Sequence, residues 1–168
     1  MLQVGVYLCT LCVLMVITFQ DFKFRAVSWF AFPLLFILLW FGNSRFELLS
    51  LGFNLGFIAL NFLLLLVFFS LKQRKLVNLF GEYIGAGDLL MLLCLAVWFP
   101  FLNFFAFYFI SLLLVTAGAG LYIFFQRPTK FTVPLAGLQS GMLLFLVIVN
   151  WSAGMEINTS LWLENYLP

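Results

Sequence analysis

The chain has 168 residues, 65% hydrophobic and 8% charged, with 24 phenylalanines, a net charge of +2 and no histidine. A water-soluble domain carries about a quarter charged residues, so too few polar groups are present to cover a surface facing water, and lipid is the expected solvent. The missing histidine excludes an H-E-x-x-H zinc site and a Ser–His catalytic pair, and membrane crossings leave no room for a sizeable soluble domain.

A spanning helix needs about 20 apolar residues, because the hydrocarbon core is roughly 30 Å thick. The first apolar run continues to Phe19 with no basic segment before it and no small-residue cleavage site, and Asp21 follows directly. It therefore reads as a first transmembrane helix rather than a signal peptide. Cys9 and Cys12 make a C-x-x-C within it, but a zinc site usually needs two more ligands close by. These two cysteines, like Cys94, are read as packing residues.

Five further runs follow, giving predicted helices at 2–20, 27–41, 48–71, 88–102, 104–125 and 131–151. The second is short and contains Pro33. The break between the fourth and fifth is placed from Pro100 and Asn103, since hydrophobicity barely falls there. The expected fold is an all-α integral membrane protein, a bundle of about six transmembrane helices over residues 1–151. A short interfacial tail follows at 152–168, where Glu156, Trp162, Glu164 and Tyr166 suit the headgroup zone. Gly137-x-x-x-Gly141 in the last helix is read as a close-packing pair and nothing more.

Lys23 and Arg25 follow the first helix, Lys72, Arg74 and Lys75 the third, and Arg127 and Lys130 the fifth. Only Arg45 of the eight basic residues falls in an even loop. Basic loops stay cytoplasmic, so both termini are expected outside the cytoplasm.

Asp21 and Asp88, the two aspartates of the chain, then fall together at the cytoplasmic edge. Taken singly, Asp88 would serve as the N-cap of the fourth helix, and Asp21 as part of an interfacial charge cluster with Lys23 and Arg25. Taken together they form a candidate pair. Ionisable groups in a membrane are expensive and generally functional, and two close carboxylates cannot both ionise cheaply, so they hold one proton between them. The ionised acid would take a proton from water while the protonated one polarises a scissile carbonyl. Around Asp88, Gly81, Gly85 and Gly87 remove side chains, and glycine tolerates backbone angles closed to other residues.

Two motifs carry a family resemblance. Thr18-Phe19-Gln20-Asp21-Phe22-Lys23-Phe24-Arg25 places an acid at the end of the first helix before a basic stretch. Gly81-Glu82-Tyr83-Ile84-Gly85-Ala86-Gly87-Asp88 places an acidic residue before a G-x-G-D. With the proline-containing opening of the last helix, Phe131 to Gly137, the ordered set resembles the prepilin peptidases, or type IV leader peptidases, of the GxGD aspartyl protease class. The resemblance implies Asp21 and Asp88 as the catalytic acids, and Gly85, Gly87 and Glu82 as support for the second motif. It also implies a pilin-like precursor peptide as substrate, cut after a glycine at the cytoplasmic face of a bacterial inner membrane.

The chain departs from many members of that family at Leu90, where they carry a lysine, and at Val27-Ser28-Trp29, where they carry Ile-Pro-Asn. Only Phe22 to Ala26 stand where the large bifunctional members have a loop with two C-x-x-C zinc pairs. The resemblance is therefore to a minimal form, and N-methylation is not expected of it. No cofactor, metal or nucleic-acid partner is expected, and the oligomeric state is left open. Competing readings are a proton- or cation-coupled transporter or channel component, and a non-catalytic membrane scaffold. A presenilin-like enzyme fits less well, because Gln20 precedes Asp21 and residues 134–136 read Pro-Leu-Ala.

Overall fold

The computed structural model describes residues 2–43, 47–75, 78, 85–126 and 134–153. Six helices are formed among the described residues: α1 (Leu2–Phe24), α2 (Ala31–Gly42), α3 (Leu48–Gln73), α4 (Ala86–Trp98), α5 (Phe101–Gln126) and α6 (Leu135–Ala153). No strand occurs among the described residues. The protein is an all-α membrane bundle.

Four of these helices, α1, α3, α5 and α6, are long and apolar enough to cross a bilayer. The other two, α2 and α4, have 12 and 13 residues. At 1.5 Å per residue they rise about 18 and 20 Å, short of the roughly 30 Å apolar core. Pro33 lies in the first turn of α2, where its missing N–H has no helical partner to lose.

The fourth helix ends earlier than the sequence suggested. It stops at Trp98, and Asn103 lies buried inside α5. Proline explains the difference. It disfavours helical geometry in the residue before it, and Phe99 is accordingly extended at φ −97° and ψ 139°. Pro100 also brings no N–H to continue the ladder.

Ending a helix inside a membrane protein strands its last carbonyls, because no water is there to take them. Two asparagine amides fill the gap. Asn54 Nδ2 of α3 donates to the carbonyls of Ala96 and Phe99, both at 2.9 Å. Asn43 Nδ2, just past α2, donates to those of Val97 at 3.0 Å and Trp98 at 3.5 Å. The stop at the end of α4 is thus held by its neighbours.

The core is centred on α4, where Met91, Leu92 and Cys94 to Trp98 are buried against α2, α3, α5 and α6. On its other side the bundle is closed by α1, which packs on α2 and most extensively on α6. Polar groups stitch the helices together. Thr18 Oγ1 and Ser140 Oγ lie 2.8 Å apart across the α1–α6 contact, and Gln139 Nε2 donates to Ser111 Oγ at 3.3 Å between α6 and α5. The outer faces are left to lipid, with Leu64, Phe68 and Leu71 of α3 and Leu113, Leu121 and Phe124 of α5 all exposed.

Helices α1 and α3 both run into basic loops, and each is followed by an arginine in the left-handed region, Arg25 at φ 54° and Arg74 at φ 53°. Glycine usually takes that cap position, and a side chain there costs roughly 1–2 kcal/mol. Keeping arginine retains the positive charge at the helix end, where the macrodipole favours it.

Candidate active site

The start of α6 is where the two aspartates meet. Pro134 is buried immediately before the helix, and its carbonyl accepts the Leu138 N–H at 3.1 Å. The amides of Ala136 and Gly137 therefore belong to the first turn and have no helical partner of their own. Asp88 Oδ1 accepts from the Ala136 N–H at 3.0 Å, and Asp21 Oδ2 accepts from the Gly137 N–H. Two side chains from distant helices thus take the capping role that a residue just before α6 would normally fill.

Local sequence explains how each acid arrives. Asp21 lies in the last turn of α1 and is 8% exposed. The chain leaves that helix through the left-handed Arg25, whose N–H donates to the Asp21 carbonyl at 3.1 Å. Gln20 Oε1 accepts the Ser28 N–H at 3.0 Å, folding the connection back toward α2. Asp88 is the third residue of α4 and lies in its first turn. The N-cap of α4 is Gly85 rather than Asp88, and the Gly85 backbone N–H also stabilises the Asp88 carboxylate. Asp88 therefore bridges the N-terminal ends of α4 and α6.

Opposing effects act on the two carboxylates. A carboxylate at the C-terminal end of α1 sits at the wrong pole of that helix, while the N-terminal ends of α4 and α6 each present about half a positive charge. Burial and the mutual repulsion of the two acids oppose ionisation of Asp88, and the Ala136 and Gly85 amides favour it. The amides that hold the two carboxylates, those of Ala136 and Gly137, are adjacent in the chain.

Gly85 acts through space, not backbone freedom. Gly85 has φ −71° and ψ 138°, which any residue adopts, so the expected need for unusual backbone angles is corrected there. A Cβ on Gly85 would come within 3.3 Å of Asp88 Oδ2. One on Gly87 would meet only the Phe32 ring, at an ordinary 3.6 Å. Gly81 and Glu82 lie outside the described residues.

Gly137 was read from sequence as a packing residue at the end of the proline-containing opening of the last helix, and its packing partner is the candidate site itself. A Cβ there would lie 2.8 Å from Asp21 Oδ2, 2.9 Å from Asp21 Cβ and 3.2 Å from Phe22 Cδ2. One turn on, Gly141 faces Thr18, with the nearest atom at 3.7 Å. The cysteines stay out of this arrangement. Cys9 and Cys12 are exposed on α1, and Cys94 is buried, its thiol against the Phe32 carbonyl at 3.4 Å.

Comparison of the chain with protein-family models, with curated proteins and with solved structures yields no match.

Proposed function

We propose that this protein is an intramembrane aspartic endopeptidase that removes the short basic leader from pilin-like precursors, working at the cytoplasmic face of a bacterial inner membrane. One observation carries the reading: Asp21 and Asp88, from opposite ends of different helices, accept hydrogen bonds from successive amides of a single helical turn. The motifs around them, an acid ending the first helix and a G-x-G-D opening the fourth, supply the resemblance to prepilin peptidases. The basic loops supply the sidedness.

In the proposed reaction one carboxylate takes a proton from water and the other, protonated, polarises the scissile carbonyl. Carboxylates and water suffice. Each acid uses one oxygen on the α6 amides, which fixes the spacing of the pair. The substrate helix stays in lipid and presents its leader from the cytoplasmic side.

The test is reconstitution of the purified protein in phosphatidylethanolamine–phosphatidylglycerol liposomes with a pilin-like precursor, followed by mass measurement of the product. A single cut after the leader glycine is expected. Failure to cut any such precursor from its own genome removes the peptidase reading, and proton flux that depends on Asp88 would replace it with the transporter. The motif glycines give a finer check. Gly85→Ala crowds Asp88 Oδ2 and is expected to lower kcat by about tenfold, whereas Gly87→Ala, in ordinary contact with Phe32, lowers it less. The reverse order would show that the Asp88 carboxylate is not positioned as described.

A further inference from the structure

Resting on the peptidase reading, we infer that Gly137 is a positioning residue for Asp21, and that the absence of a side chain there sets the separation of the two acids. Asp88 has its own anchor on Ala136. For Asp21, Gly137 is the α6 contact, and two independent features make it one. The Gly137 N–H is the donor to Asp21 Oδ2. The Gly137 Cα also faces the aspartate so closely that a methyl group would overlap both Oδ2 and Cβ, at 2.8 and 2.9 Å.

The Asp21 backbone belongs to α1, so relief requires α1 to move away from α6. Asp88, held by α4, would not follow. The pair opens, and a displacement of about 1 Å is enough to cost roughly 100-fold in rate. Gly141 separates this effect from general interface packing, because a methyl there makes only ordinary contact with Thr18, at 3.7 Å.

Three measurements test this. Gly137→Ala should lower kcat at least about 100-fold with little change in KM, while Gly141→Ala cleaves like the wild type. Thr18→Cys with Ser140→Cys, in a chain whose native cysteines are replaced, reports the α1–α6 distance without reference to activity. The hydroxyls lie 2.8 Å apart, so the pair should oxidise readily, and adding Gly137→Ala should reduce its yield. Undiminished kcat, or an unchanged cross-link yield, overturns the proposal. If Gly137→Ala fails to accumulate, adding Asp21→Gly removes the Oδ2 and Cβ atoms that the methyl overlaps, and the double variant should accumulate as well as Asp21→Gly alone; a double variant that accumulates less than Asp21→Gly also overturns it. A wild type that cleaves nothing defeats the peptidase reading instead, and the cross-link still decides whether Gly137 sets the approach of α1.

Discussion

Asp21→Asn and Asp88→Asn each lower cleavage by at least about 1,000-fold while leaving the protein as stable as the wild type, or more so. The activity loss follows from the chemistry. An amide neither accepts the proton of the attacking water nor shares one with its neighbour, and removal of a catalytic acid or base costs 10² to 10⁴ or more. The unchanged stability follows from the site geometry. Asparagine retains a carbonyl oxygen that can still accept from the Gly137 or Ala136 amide, so no buried N–H loses its partner. At Asp21 the change also removes a negative charge from the C-terminal end of α1, where the helix dipole disfavours it. Asp21→Ala differs, because it strands the Gly137 N–H and should destabilise by roughly 1–3 kcal/mol. Thermal unfolding in detergent alongside the cleavage assay separates the cases. If Asp21→Asn unfolds early and Asp88→Asn retains activity, the acids are a structural bridge and not a catalytic pair.

The sequence made the solvent, the helices and the two acids legible, and left their meeting point hidden. Hydrophobic runs of about 20 residues and basic odd loops reflect what lipid demands of any chain, so they survive without tertiary information. Nothing in the spacing of Asp21 and Asp88 indicates that they reach adjacent amides. That depends on the rotation of α1 about α6, which Thr18, Asp21, Gly137 and Ser140 fix together. The glycine spacing at 137 and 141 was visible, but a small-residue pair says only that something approaches closely, not which residue does so. The early end of α4 was legible in Pro100 and was misplaced by giving weight to Asn103, a polar residue that is buried within α5. Asn54 was also in plain view as one of two asparagines within the apolar third helix. Its role required knowing that α4 stops beside it.

Asn54→Leu should destabilise the protein by about 2–6 kcal/mol, the largest effect expected of any change outside the aspartate pair. Hydrogen bonds between side chains of membrane helices are usually worth only about 0.6 kcal/mol, since the unfolded chain finds other partners in the bilayer. Asn54 differs because of what Pro100 removes. In a continuous helix the Ala96 carbonyl would accept from the residue four positions on, which here is proline and has no N–H. Asn54 Nδ2 stands in for that donor and also serves the Phe99 carbonyl. Asn54 is itself fully buried, so water does not reach the pair to replace it. Two stranded carbonyls at roughly 1–3 kcal/mol each give the expected range. Asn61→Leu on the same helix is the control. Its amide bonds the Phe57 carbonyl four residues back in α3 itself, an acceptor already served by the helical ladder, and its loss should cost under about 1 kcal/mol. Reversible unfolding in mixed micelles measures both. Equal stability of the two variants would mean that the end of α4 is not held by Asn54. The predicted gap would mean that this buried stop fixes the position of the helix carrying Asp88, so residual cleavage by Asn54→Leu should fall in step with its stability.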